Sequence, residues 1–193
     1  MLPILEQLPS LKKRAMPLSI KAWHQMIDKG LAPERAELIR GVIIEKMSKS
    51  ILHTKLSSRL FRILQLALGP EFWVRKEDPL TFLDSEPEPD ISVIEGAETD
   101  YDTHPSTAHL VVEVSVSTLP EDRAMADIYS EAGVAEYWIV NATERCIEVS
   151  RDLIAGVYQT QIRIAEDGIV ECAALPGVRL NVSELFAGLP LKN

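Results

Sequence analysis

Cysteine is scarce: only Cys146 and Cys172 occur in 193 residues, and neither has a CxxC or metal-ligand partner. That excludes a disulfide framework or a thiolate zinc centre and points to reduced thiols. No apolar run approaches the roughly 18 residues that cross a bilayer. The N-terminus shows no basic segment followed by an apolar one, so no signal peptide is expected and the chain reads as cytoplasmic. Positive charge is short too. A net charge of -9 argues against a broad electropositive groove. Local basic clusters, Lys12-Lys13-Arg14 and Lys46 to Lys55, still leave room for contact with nucleic acid. There is no G-x-S-x-G elbow for a serine hydrolase. His104 and His109 lack a third ligand, which excludes a histidine zinc site.

What is present is organised around Leu110–Ser117, an apolar, β-branched run that predicts an interior strand. At a period of two, Val112, Val114 and Val116 share one face, and Val111, Glu113, Ser115 and Ser117 share the other. A carboxylate there is costly unless a cation, a hydrogen-bond network or a proton compensates it. A buried salt bridge is the structural alternative for Glu113. Asp90 opens a second β-like run through Ile94 and can bring another carboxylate to the same place. On its own Asp90 reads as a turn residue after proline. Together the two acids are the raw material of a Mg²⁺ site, because hard cations take oxygen ligands.

The rest of the chain reads as one domain over residues 1–193. Residues 1–16 form an N-terminal arm, 17–150 a core and 151–193 a β-rich C-terminal extension. Ser19 caps a helix that stops at Gly30. Residues 37–47 form a hairpin turning at Arg40-Gly41, and residues 52–68 have helical spacing up to Gly69-Pro70. Strands are expected near 72–75 and 80–83, followed by a solvated acidic stretch containing Glu86 and Glu88 and a loop over 95–109. Thr118-Leu-Pro-Glu121 has the form of a capping box opening a helix to about Ala132. Strands follow at 135–140, 146–150, 157–164 and 169–172, then a short helix near 183–186. Tyr137 and Trp138 read as core aromatics. The class is α/β, with a central mixed sheet flanked by helices.

Five blocks occur in this order: Glu37-Leu-Ile-Arg-Gly41, His53 at the start of the following helix, Pro89-Asp90, Val112-Glu113-Val114, and Ala132 to Val140. Together they resemble the PD-(D/E)XK nuclease superfamily, and within it the Uma-two family of restriction endonucleases. The resemblance covers roughly residues 17–150. It implies a restriction-endonuclease-like core, Asp90 and Glu113 as metal ligands, and Glu37 as an accessory acid. The implied reaction is Mg²⁺-assisted (or Mn²⁺-assisted) hydrolysis of a DNA phosphodiester, with a homodimer by analogy, since cutting a duplex favours two-fold symmetry.

One departure matters. The general motif has a lysine two residues beyond the second acid, where this chain has Ser115. In Uma-two relatives the lysine sits four residues before the tyrosine at position 129, where this chain has Met125. Ser115 most simply fits a crowded strand face. His53 is read either as a helix N-terminal residue bonded to backbone or as an accessory site residue. An amine can come from Lys46, Lys49 or Lys76, with Lys46 favoured because it follows Glu45 on the hairpin. Alternatively Arg123 substitutes from the helix, or the fold persists without chemistry as a DNA-binding or protein-interaction module.

Overall fold

The computed structural model describes residues 14–189, so most of the expected N-terminal arm, with Lys12 and Lys13, lies outside the described residues. The chain divides into two compact units. One runs to Lys46 and takes in Asp84–Glu86; the other comprises Met47–Leu83 and the chain from Pro87 onward.

In the first unit, helix α1 (Ile20–Asp28) begins where the Ser19 hydroxyl accepts from the Ala22 amide at 3.2 Å, satisfying a first-turn donor. Strands β1 (Ala36–Ile39) and β2 (Val42–Glu45) form an antiparallel hairpin. Arg40 and Gly41 both have positive φ (50° and 71°), the backbone that a two-residue hairpin turn needs to follow strand twist. Trp23, Ala36 and Leu38 form a small core. Glu86 belongs to it. The expectation that Glu86 is solvated is overturned: the residue is 4% exposed. Its carboxylate accepts from the Trp23 indole at 3.0 Å and lies 2.6 Å from His24 Nε2. Its amide donates to the Leu38 carbonyl at 2.6 Å. These partners stand in for water, which makes burial tolerable.

The second unit is built on a six-stranded sheet ordered β3-β4-β5-β6-β7-β8, where β3 is Phe72–Arg75, β4 Ile91–Glu95, β5 Leu110–Ser115, β6 Glu136–Asn141, β7 Cys146–Ile154 and β8 Val157–Ile164. Only β5 and β6 pair in parallel within it, and the connection they require carries helix α3 (Leu119–Glu131). Helix α2 (Ile51–Ala67) lays Leu56, Leu60 and Leu64 into a core with Val112, Val114, Trp138, Val140 and Ile147 from one sheet face. The hairpin β9 (Ile169–Glu171) and β10 (Arg179–Asn181) and helix α4 (Val182–Phe186) complete the same core through Val170, Leu180, Leu185 and Phe186. The expected boundary at residue 150 therefore falls inside β7, and β8 is a strand of the central sheet.

Two local expectations give way. Residues 80–83 form no strand, although Leu80 and Phe82 are buried. The Leu80 and Thr81 amides donate instead to the carbonyls of Pro87 and Pro105, so the alternation has no ladder to join. Thr118 precedes α3 without capping it; its hydroxyl donates to the Asp122 carboxylate at 2.7 Å. Among the described residues, no helix is long and apolar enough to cross a membrane.

Candidate active site

Strands β4 and β5 are antiparallel, with Ile91 opposite Val112. One further step along that register brings Asp90 opposite Glu113. The two residues interlock through the backbone. The Asp90 amide donates to Glu113 Oε2 at 3.1 Å, and the Val114 amide donates to Asp90 Oδ2 at 2.8 Å. Glu113 projects from the face opposite Val112 and Val114, as the period-two pattern requires. Its Oε1 accepts from the hydroxyl of Tyr129 on α3 at 2.8 Å.

Two side chains from the start of α2 reach Asp90. Lys49 Nζ donates to Oδ1 at 2.9 Å, and His53 Nε2 lies 2.8 Å from Oδ2. Ser50 fixes both positions: its hydroxyl accepts from the His53 amide at 3.2 Å, so Lys49 immediately precedes the helix cap. Lys49 also pairs with Glu77 at 3.2 Å. His53 Nδ1 is buried and has no hydrogen-bond partner.

Electrostatics separates the acids. Burial works against the charge of Asp90, but the His53 contact and the Lys49 charge hold its carboxyl below the usual range. Glu113 is pushed well above it, first by burial and then by the charges of Asp90 and Asp122. Asp122 is also raised, chiefly by burial, although the Thr118 and Ser115 hydroxyls bond to it. Burial of Lys49 opposes its charge, yet Asp90 and Glu77 more than offset that, and its pKa is raised. The site therefore contains an ammonium, an anionic Asp90, and two acids, Glu113 and Asp122, whose charged forms are disfavoured.

That donor set fits a hard divalent cation. Asp90 and Glu113 present carboxylate oxygens from adjacent strands, and each Glu113 oxygen has one protein donor and a remaining lone pair. Added positive charge there would relieve the repulsion among Asp90, Glu113 and Asp122. Among the described residues, no three His, Cys, Asp or Glu side chains form a fuller cage. Mg²⁺ commonly manages with one or two carboxylates, completing its shell with water and substrate phosphate.

The remaining candidates have these contacts. Lys46, favoured as the amine, ends the first unit, where its amide donates to the Arg35 carbonyl at 2.8 Å. The ammonium on Asp90 comes instead from Lys49, three residues on. Glu37 is half-buried on β1 opposite Ile44, in the first unit. Lys76 bonds to the Ser58 hydroxyl at 3.2 Å. Arg123 forks onto Glu148 at 2.8 and 2.7 Å. Ser115 is buried beside Asp122. Tyr137 donates to the Asp122 carbonyl and Trp138 to Glu136, as befits core aromatics. Sequence reasoning did not single out Asp122, Glu77 or the Tyr129 hydroxyl. A signal existed for Asp122, which lies four residues after Thr118 on a helix.

Comparison with known proteins places this geometry in context. The crystal structure of a putative nuclease belonging to DUF820 from Anabaena variabilis matches with a TM-score of 0.68 and 18% identity, covering 89% of this chain and 98% of that one. At that identity the likeness speaks for the fold. No match is found among curated proteins. The family model Uma2, described as putative restriction endonuclease, matches residues 23–183, a span that runs from the Trp23 helix through the sheet and the β9–β10 hairpin. With most of its length inside that model, this chain belongs to the Uma-two family.

Proposed function

We propose that this protein is a metal-dependent endonuclease that hydrolyses DNA phosphodiester bonds at Asp90 and Glu113. The observation that carries the reading is the pairing of those two carboxylates across β4 and β5 with an ammonium, Lys49, on Asp90. Family membership and the nuclease-like fold support it.

Asp90 and Glu113 would hold the cation, Mg²⁺ in this reading. Such an ion supplies Lewis-acid polarisation of the phosphoryl oxygen and a water of lowered pKa. The chain's own residues do the rest. The Val114 amide, His53 and Lys49 fix the Asp90 carboxylate from three directions. Tyr129 and the Asp90 amide fix Glu113. Lys49 stays protonated beside Asp90 and Glu77, so it acts as a fixed positive charge for the developing phosphoryl charge and does not serve as a base. It thereby supplies, from just before the cap of α2, the amine that neither Ser115 nor Met125 can provide. Cutting both strands of a duplex calls for two such sites, so the reading includes a symmetric homodimer.

The test is plasmid cleavage with Mg²⁺ or Mn²⁺, comparing the native chain with Asp90→Ala and Glu113→Ala. Cleavage by the native chain, lost in both variants, supports the reading. Cleavage that survives both substitutions, or none by the native chain with either ion, overturns it.

A further inference from the structure

Beside the site, α2 and the edge strand β3 enclose a cleft of about 540 Å³. Phe61, Gln65 and Phe72 line it together with Arg75, Lys76 and Asp78. We propose that this cleft carries the substrate strand next to the scissile bond, with Lys76 on a flanking phosphate. The proposal rests on the nuclease reading and extends it to how the strand is held.

Three observations carry it. The first is continuity with Asp90. Lys76 Nζ lies 3.5 Å from Glu77, Glu77 lies 3.2 Å from Lys49 Nζ, and Lys49 Nζ lies 2.9 Å from Asp90. Three short contacts thus link the cleft ammonium to the reaction centre. That reach suits neighbouring phosphates, which recur about every 3.4 Å of axis along one strand.

The second is a cation held in the cleft wall. Arg75 is 4% exposed, and its buried Nε makes no hydrogen bond. One guanidinium nitrogen donates to the Pro79 carbonyl at 3.1 Å, and the guanidinium lies 5.0 Å from the Trp73 ring centroid. Asp78, at 3.8 Å and half-exposed, is its acidic counterpart. A guanidinium so placed is a fixed source of positive potential. Lys76 is more accessible, with its ammonium 3.2 Å from the Ser58 hydroxyl and 3.5 Å from Glu77. In a chain of net charge -9, attraction for a phosphodiester strand has to be local, and Lys76 is joined to Asp90 through Glu77 and Lys49.

The third is the rest of the lining. Phe61 and Phe72 are half-buried and Gln65 is exposed. Rings beside a basic track suit a single strand, because every base has a face to stack and none is selected.

The experiment uses the full chain in EDTA, so that binding is measured without cleavage. Fluorescence anisotropy follows a labelled single-stranded 12-mer across a salt series. Lys76→Gln is expected to weaken binding about tenfold and to lower the salt slope by about one released counterion, with Lys76→Arg restoring both. Phe61→Leu, which keeps an apolar side chain against the core, is expected to weaken binding about fivefold with the slope unchanged. Unchanged affinity and slope in Lys76→Gln would overturn the proposal, as would a loss that Lys76→Arg fails to restore. Failure of the nuclease reading shows separately, as absence of cleavage with Mg²⁺ or Mn²⁺ by a native chain that still binds the oligonucleotide.

Discussion

The Asp90 amide donates to the Glu113 carboxylate at 3.1 Å, while the amide next to Glu113, that of Val114, donates to the Asp90 carboxylate at 2.8 Å. Each acid is thus held by the other's strand, and neither can turn away without breaking a backbone contact. Asp90→Asn keeps most of this geometry and removes the charge. Calorimetry with Mn²⁺ is expected to show binding by the native chain, at least tenfold weaker binding by Asp90→Asn, and none by the Asp90→Ala/Glu113→Ala pair. Equal affinity in all three would place the ion elsewhere.

Lys49 predicts the second outcome. Losing one preorganised charge-stabilising group costs roughly 10²–10³ in rate. Lys49→Ala should therefore lower the cleavage rate by about that factor with little change in KM, whereas Lys46→Ala should leave it within about twofold. Met125 is half-buried on α3, four residues before the tyrosine that holds Glu113. If one amine is all the chemistry needs, Met125→Lys in the Lys49→Ala background should recover at least tenfold of the loss. Single-turnover cleavage rates decide between these outcomes, and a Lys46→Ala defect as large as that of Lys49→Ala would reverse the assignment.

What the sequence made legible was whatever local pattern could specify. The β-branched run expected over Leu110–Ser117 formed an interior strand over Leu110–Ser115, Ser19 began a helix, the apolar spacing of residues 52–68 marked another, and Arg40-Gly41 turned a hairpin. Partners far along the chain were not legible. Glu86 looked solvated because its acidic, proline-rich neighbours are; its donors, Trp23 and His24, lie more than 60 residues away. Leu80 and Phe82 alternate like a strand because they are buried, but the hydrogen-bond partners of that segment are loop carbonyls. Lys46 and Lys49 differ by three positions, yet the helix begins at Ile51 and the amine on Asp90 is the one beside its cap. No period-counting rule contains that offset.

Glu136 yields a prediction about stability. It is fully buried on β6 and accepts from the Trp138 indole at 2.6 Å and from the amides of Ala173 and Ala174 at 2.7 and 3.1 Å. Cys172 also approaches it, and burial followed by the Glu136 charge pushes that thiol up to about 12. Glu136→Ala strands three donors, each worth about 1–3 kcal/mol when buried unsatisfied. Urea unfolding should show a loss of about 3 kcal/mol or more, and Cys172 should react faster with a thiol reagent. Glu136→Gln keeps an acceptor oxygen and should lose less.

The acids of the site also predict how stability responds to pH in the metal-free chain. Glu113 titrates well above 4.5 when folded, through burial and its neighbours Asp90 and Asp122. Between about pH 4.5 and its folded value, the native chain keeps a proton that the unfolded chain releases. Stability therefore falls as pH rises through that window, by at most about 1.4 kcal/mol per pH unit. Asp90 has the opposite sign. Its folded pKa lies below 3.8, so its contribution is complete above about pH 3.8 and is lost as pH drops through the folded value. Urea titrations in EDTA from about pH 3 to 9 should show both limbs. Glu113→Gln should reduce the decline above pH 4.5, leaving the part due to the raised Asp122, and raise stability at neutral pH. Asp90→Asn should remove the acid limb and, by deleting a neighbouring charge, end the Glu113 decline at a lower pH. If Glu113→Gln instead kept the native slope above pH 4.5, Glu113 would have to be charged in the folded chain, and the repulsion that a divalent ion is proposed to relieve would be absent.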